Sequence, residues 1–177
     1  MNQGDTYINL TEKEKIWAVL QTVPDPEVPV LSVIDLGIIR DVIITSDAYS
    51  PCNGVKIVIT PTYSGCPAMD AISFDIRLKL AEHGYKNIAI TTLLSPAWTT
   101  DWISEAGKKK LKAYGIAPPH TKQIVCDTRL FAEAEAIQCP LCDSYHTKLI
   151  SRFGSTPCKS LYQCNECQEP FDYFKCH

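Results

Sequence analysis

Apolar residues recur with helical spacing in three parts of the chain. The pattern predicts amphipathic helices over residues 11–23, 67–83 and 104–114. Thr11 and Glu14 have the spacing of a capping box, in which each side chain satisfies a backbone donor near the start of the first helix. Three helices of ordinary length are therefore expected.

Three other segments, rich in Ile, Val and Thr, have the composition of strands. They cover residues 38–45, 54–60 and 87–94. The first two are joined by a loop that contains Asn53, so we expect a β-hairpin. A helix separates the second strand from the third, so these two should run parallel through a right-handed crossover. The predicted fold class is α+β, with a small sheet (a hairpin plus a parallel third strand) that carries helices on one face.

Cysteines are concentrated near the end of the chain. Two C-x-x-C pairs, 21 residues apart, have the spacing of a four-cysteine zinc site. Its predicted ligands are Cys139, Cys142, Cys164 and Cys167. Four thiolates leave no open position for catalysis, so zinc would be structural and the segment would be a zinc ribbon. An iron–sulfur cluster on the same thiolates is the alternative.

The other cysteines and nearby histidines have no place in this pattern. Cys158, Cys176, His146 or His177 could replace one of the four ligands, but their spacing fits the pattern less well and they are left out of the predicted metal set. No role is assigned to Cys52 or Cys126, which lie outside any motif. The proposed organisation is an α+β domain at 1–120, a connector at 121–137 and the ribbon at 138–177.

The charge and hydropathy of the chain exclude some functions. The formal net charge of −3 argues against a nucleic-acid-binding protein. No apolar run is long enough to cross a bilayer, and the N-terminus lacks the features of a secretion signal. We therefore expect a soluble cytoplasmic protein with no membrane association.

Residues 60–67 carry the most distinctive chemistry outside the ribbon. A predicted strand ends there in a turn at Gly65, and Cys66 stands at the start of the next helix, where Pro67 suits the first turn. A helix N-terminus favours a thiolate, which can bind metal or act as a nucleophile. The same position also suits a small buried hydrophobic residue. For Asp25 and Glu27, the residues alone favour roles in turns and caps.

Residues 11–119 resemble the iron–sulfur-assembly domain family. The resemblance rests on Asp25-Pro26-Glu27, Ile34-Asp35-Leu36-Gly37, Gly65-Cys66-Pro67 and Gly115-Ile116. Inside the ribbon, further motifs occur at residues 151–156, Cys158-Lys159 and residues 169–175. When these motifs are combined with those of the first domain, nearly the whole chain resembles the D-type phenylacetate-degradation family.

The resemblance implies an accessory or maturation factor of the phenylacetyl-CoA ring-epoxidizing oxygenase. That enzyme has a di-iron subunit and an iron–sulfur flavin reductase, and either of them is an implied partner. The family's functional thiol corresponds to Cys66, and its acidic loop corresponds to Asp25 and Glu27. Iron or an iron–sulfur cluster would bind transiently at Cys66.

Two other functions stay open. In the first, Cys66 would act as the nucleophile of a thiol enzyme, but no histidine lies in a recognisable pairing motif. Alternatively, the ribbon and the surface at Trp98 and Trp102 would dock the oxygenase without metal transfer. An exposed edge of the small sheet also favours a homodimer.

Overall fold

A computed structural model describes residues 11–45, 54–63, 65–119 and 136–175. The helices in this part of the chain are α1 (Glu12–Leu20), α2 (Ala68–Glu82) and α3 (Glu105–Ala113). The strands are β1 (Ile39–Thr45), β2 (Gly54–Ile59), β3 (Asn87–Thr92), β4 (Ile116–Ala117), β5 (Thr147–Ser151), β6 (Lys159–Cys164) and β7 (Pro170–Phe174). Most of the predicted connector, together with Cys52, Cys126, Cys176 and His177, lies outside the described residues.

The first sheet has β2 at its centre. β1 pairs antiparallel with β2, and β3 pairs parallel with the other edge of β2. Ile57 shows the register, because it stands opposite Val42 on one side and Ile90 on the other. The predicted hairpin and parallel third strand are therefore confirmed, and the fold class is α+β.

The main core lies between this sheet and the first two helices. On α2, Ile72, Ile76 and Leu80 recur every four residues and are almost fully buried. They pack in one cluster with Ile16 of α1 and Ile57 of β2. The helical period thus places the apolar face of each helix against the β-branched face of the sheet, which removes apolar surface from water.

The second sheet contains a strand that the sequence did not predict. Its order is β4-β7-β6-β5, and the two-residue strand β4 pairs parallel with β7. Ile116 and Ala117, which lie near the end of the predicted first domain, thus form the edge of the ribbon sheet. A two-residue strand is too short to show a period, so the pairing partner alone defines it.

The ribbon also contributes side chains to the main core. Cys158 and Phe174 are 4 % and 2 % exposed and belong to the same buried cluster as α1 and α2. The Phe174 ring meets the Trp98 ring edge to face, with centroids 6.2 Å apart. The indole Nε1 of Trp98 donates to the carbonyl of Leu36 at 2.9 Å, which fixes the ring. The two sheets therefore share one packed interior.

A smaller core lies inside the ribbon beside its cysteines. The Tyr162 and Phe171 rings stack with centroids 5.9 Å apart, and they pack with Ile137 and two of the cysteines. Among the described residues, no helix has the length and apolar character needed to span a membrane.

Candidate functional site

Four cysteine side chains meet at one end of the ribbon. The Sγ atoms of Cys139, Cys142, Cys164 and Cys167, here called the cysteine cluster, all lie within 4.8 Å of one another. The Cys139–Cys167 and Cys142–Cys164 sulfur distances are 3.8 and 3.5 Å. A tetrahedron with metal–sulfur bonds of about 2.3 Å has edges of about 3.8 Å, so the donors fit a four-coordinate metal.

The backbone of both C-x-x-C turns is arranged in the same way. Asp143 and Gln168, each directly after the second cysteine of a pair, have φ angles of 60° and 65°. Backbone N–H groups of Cys167 and Glu166 donate to the Cys164 sulfur and lower its pKa to about 7. In the other turn the Ser144 N–H also acts to lower the pKa of Cys142, but hydrogen bonds with the other cysteines and burial outweigh it and raise that pKa to about 12. Both turns therefore supply backbone donors to sulfur, and the cysteines share their protons unequally.

Cys66 lies in the turn between β2 and α2. Gly65 has a φ of 80°, and the Cys66 N–H donates to the carbonyl of Tyr63 at 3.3 Å. Pro67 caps α2, so Cys66 stands just outside the helix rather than in its first turn. The thiol is half-buried, neither enclosed in the core nor part of the cysteine cluster.

Asp25 organises the proline-rich loop after α1. Its Oδ1 accepts from the N–H groups of Glu27 and Val28 at 2.9 and 2.7 Å. The side chain is buried, and desolvation raises the pKa of the carboxyl above its ordinary value. Asp25 thus holds the loop in shape and points inward, whereas Glu27 projects from the loop.

Glu27 meets a thiol that comes from the ribbon. The Cys158 sulfur donates to Glu27 Oε2 at 3.3 Å, across 131 positions of the chain. Thr156 Oγ1 lies 3.0 Å from the same sulfur. Burial is the main reason why the pKa of Cys158 is raised to about 12, and the Glu27 carboxylate adds to it. Cys158 therefore holds its proton at neutral pH, directed at Glu27.

Tyr63 connects this contact to Cys66. Burial of the phenol and its hydrogen bond with Cys66 raise the pKa of Tyr63 to about 12, and Glu27 and Cys158 act in the same direction. Both thiols and the carboxylate therefore influence the Tyr63 hydroxyl. We call Glu27, Tyr63, Cys66 and Cys158 the thiol site.

A cavity of about 280 Å³ adjoins the thiol site. Tyr63 and Trp98 form two of its walls, and residues 60–62, Leu94 and Ala97 complete the lining. Because Trp98 also packs on Phe174, this cavity lies where the first sheet meets the ribbon.

Asp35 belongs to a separate polar network. Burial alone would raise the pKa of this carboxyl, but the contact with Lys110 at 2.6 Å and the bonds with Ser32 outweigh it, so the pKa lies below its ordinary value. Asp35 Oδ1 also accepts from Ser104, the N-cap of α3. Asp35, which belongs to the motif Ile34-Asp35-Leu36-Gly37, therefore links α3 to the loop before β1.

The residues that were predicted from the sequence to form a functional site have different roles in the structure. Glu27 and Cys66 both act on Tyr63, whereas the buried Asp25 shapes the loop that presents Glu27. Cys158 was missed because its spacing fits no metal motif. The sequence feature that could have indicated Cys158 is the ribbon motif around it. Gly154 in that motif allows the close approach of Asp172 and Lys159, and the same loop places Cys158 against Glu27.

Comparisons with known proteins cover both parts of the chain. The family described as "Iron-sulfur cluster assembly protein" matches residues 13–85, and the "PaaD zinc beta ribbon domain" matches residues 125–175. A crystal structure of a DUF59 domain of unknown function from Bacillus anthracis is 27% identical, with a TM-score of 0.48, over 56% of this chain and 90% of that one.

Two curated relatives match at the level of sequence. The "Fe-S protein maturation auxiliary factor" of Porphyromonas gingivalis is 37% identical over 103 residues, which are 58% of this chain and 92% of that protein. The D subunit of the "Putative 1,2-phenylacetyl-CoA epoxidase" of Escherichia coli is 46% identical over 162 residues, 92% of each chain. With an iron–sulfur-assembly-type domain followed by a zinc-ribbon domain, and with this similarity over nearly its whole length, this chain belongs to the D-type family of phenylacetyl-CoA epoxidase proteins.

Proposed function

We propose that this protein is an accessory factor that matures or repairs an iron–sulfur or di-iron centre of the phenylacetyl-CoA ring epoxidase in aerobic phenylacetate degradation. Its cargo is iron or an iron–sulfur cluster, bound transiently through Cys66. The oxygenase or the reductase component of the epoxidase receives the cargo. The family and the name of the Escherichia coli relative support the epoxidase as the partner, and the name of the Porphyromonas gingivalis relative supports a maturation role.

One observation carries this proposal. Cys66 is half-buried, acts on the same Tyr63 phenol as the Glu27 carboxylate does, and takes no part in the cysteine cluster. Thiolate sulfur together with oxygen donors suits iron, and an incomplete set of protein ligands permits exchange. Glu27 is the acid of this site, while Asp25 acts through the loop.

The cysteine cluster has a different task. We propose that it holds zinc, because four thiolates at tetrahedral distances satisfy this ion and leave no open position. Zinc there stabilises the small ribbon, whose apolar core is formed by only a few side chains.

The experiment compares the wild-type protein with Cys66→Ala. Both are purified without oxygen, supplied with ferrous iron and sulfide, and analysed for iron, sulfide and zinc. The wild type should retain iron and the variant should lose it, while each keeps one zinc. Asp70→Asn, an exposed acidic residue in the first turn of α2, is the matched control. Equal iron retention by Cys66→Ala and wild type would remove Cys66 from the proposal.

A docking role without metal transfer is the second candidate. It is favoured by the name of the Escherichia coli relative, which describes that protein as a subunit. In that case, the protein should co-purify with the epoxidase in fixed stoichiometry, and Cys66→Ala should support normal iron content of the epoxidase. A homodimer through a free edge of the first sheet also stays a prediction, which sedimentation of the full chain can test.

A thiol enzyme has less support from the described residues. Cys66 would need a base, and His83 and His146 have ring nitrogens that contact the Lys79 carbonyl and Glu166 instead.

A further inference from the structure

The ribbon sends one cysteine away from its own metal cluster. Cys158 is 4 % exposed, and its sulfur points at Glu27 of the first domain rather than at the four clustered sulfurs. A cysteine that served only to fill space would need no polar partner. Here the buried sulfur contacts both a carboxylate oxygen and the Thr156 hydroxyl.

Three segments that are distant in sequence bring their donors to this point. The loop after α1 supplies Glu27, the turn before α2 supplies Tyr63 and Cys66, and the loop before β6 supplies Cys158. Cys66, Glu27 and Cys158 all act on the buried phenol of Tyr63 and raise its pKa. Tyr63 thus links Cys66 to the direct contact between Cys158 and Glu27.

The ribbon loop is built to keep Cys158 there. Its carbonyl accepts from the N–H of Lys175 at 3.0 Å, and Gly154 N–H donates to the carbonyl of Lys159 at 2.8 Å. Ser155 Oγ donates to Asp172 on the neighbouring strand β7. The sulfur is thus held by strand and loop contacts, not by a mobile side chain on the surface.

We propose that Cys158 is the second sulfur ligand of the cargo bound at Cys66, with Glu27 as the adjacent oxygen ligand. This inference rests on the proposed function and extends it: the cargo site is completed by the ribbon. Binding breaks the Cys158 S–H bond and forms a sulfur–metal bond, while the proton passes to solvent and no atom changes oxidation state. The ligand class is a divalent iron ion or a small iron–sulfur cluster, because two sulfurs and one carboxylate suit this chemistry.

The test uses Co²⁺ as a spectroscopic probe for ferrous iron. Full-length protein with zinc already in the cysteine cluster is titrated anaerobically, and the sulfur-to-cobalt charge-transfer absorption is followed. Zinc is measured after desalting, and one retained equivalent shows that the ribbon is folded and that cobalt has not replaced zinc. The wild type should bind one further Co²⁺ with an absorption that corresponds to two thiolates.

The decisive variant is Cys158→Ser. A serine hydroxyl can still donate to Glu27, so a purely structural contact survives, but a neutral hydroxyl is a poor ligand for this ion. We expect the absorption to fall to that of one thiolate and the affinity to fall at least about tenfold. Ser160→Ala, which removes a hydrogen bond to the Arg152 carbonyl in the same loop, should bind Co²⁺ like the wild type.

The outcomes separate this inference from the function on which it rests. If Cys66→Ser loses binding and Cys158→Ser keeps the wild-type affinity and absorption, the ribbon ligand is overturned and the role of Cys66 stands. If both variants bind like the wild type, or the wild type binds no second ion, Cys66 and Cys158 are both excluded as ligands. Loss in both variants, with zinc retained, is the result expected here.

Discussion

Asp25 and Glu27 are two residues apart in one loop and have opposite surroundings. The Asp25 carboxylate is buried and accepts two backbone N–H groups, whereas Glu27 accepts from a thiol of another domain. Because Asp25 is only 6 % exposed and its Oδ1 accepts both loop N–H groups, it stabilises the loop rather than facing a ligand. At the scale of single residues, one acid builds the site and the other belongs to it.

The first prediction concerns Asp25. Asp25→Ala leaves two N–H groups of the loop without an acceptor, which costs about 1–3 kcal/mol of unfolding free energy. Asp25→Asn retains an oxygen that can accept both bonds, so it should be closer to the wild type. Urea denaturation at neutral pH measures both values, and equal losses in the two variants would contradict this role.

The same residue predicts a pH dependence. Burial raises the pKa of Asp25 above its ordinary value of 3.8, so the folded protein binds the proton more tightly than the unfolded chain does. Its stabilising contribution is then complete below pH 3.8 and is lost as the pH rises through the raised pKa. Relative to Asp25→Asn, the wild type should lose stability between about pH 4 and neutrality. Urea denaturation of both proteins across that range measures the difference.

The sequence identified some of these residues and missed others for a physical reason. The cysteine cluster was predicted from spacing, because each C-x-x-C pair forms within one turn and is a local feature. Cys158 contacts Glu27 only after the two domains pack, and two residues that are 131 positions apart in sequence show no spacing pattern that would predict the contact. The burial of Asp25 is likewise a property of the folded loop.

At the scale of elements, Gly37 joins the loop before β1 to the turn at Trp102. Gly37 has a φ of 67°, and a Cβ there would lie 2.4 Å from the Trp102 carbonyl oxygen. Gly84, which follows α2, has a φ of 89° but no atom within 4 Å of its Cβ position. The two glycines therefore share a backbone requirement and differ in packing.

The second prediction uses this difference. Gly84→Ala should cost about 1–2 kcal/mol, the penalty of a left-handed backbone conformation. Gly37→Ala should cost about 1–3 kcal/mol more, because the new methyl also overlaps Trp102. Urea denaturation of the two variants gives the comparison. Losses of the same size would show that the loop moves away from Trp102 at no cost.

The elements themselves were largely predictable. The helices and the first three strands have regular apolar periods, and their observed bounds differ by a few residues from those expected. Strand β4 was not predicted because Ile116 and Ala117 form a strand only by pairing with β7, which lies far later in the chain. The division of the chain at residues 120 and 138 stays a prediction, although β4 ties the two parts together.

At the scale of the whole molecule, the ribbon covers part of the main core. All three tryptophans, at positions 17, 98 and 102, precede the ribbon, so their fluorescence reports the unfolding of the first domain. Phe174 lies in the ribbon and contacts Trp98. A change in the ribbon should therefore be visible in a signal from the other domain.

The third prediction is a ribbon variant with a remote effect. Phe174→Ala should lower the unfolding free energy by about 3–5 kcal/mol, the cost of truncating a buried phenylalanine. Tryptophan fluorescence during urea denaturation measures it. Phe153→Ala is the control, because that ring is 66 % exposed and carries the Lys175 ammonium 4.4 Å from its centroid at the surface. It should cost about 1 kcal/mol or less.

The fourth prediction is that metal removal destabilises the first domain through the same contact. A chelator that strips the cysteine cluster unfolds the ribbon, because metal binding supplies its folding free energy. Cys158 and Phe174 then leave the main core, and Trp98 loses its cover. The urea midpoint of the tryptophan signal should fall, and added zinc should restore it. Chelation should have a smaller effect in Phe174→Ala, where the shared contact is already absent. Equal effects in both proteins would show that the coupling does not depend on Phe174, and no effect in the wild type would show that the two domains unfold independently.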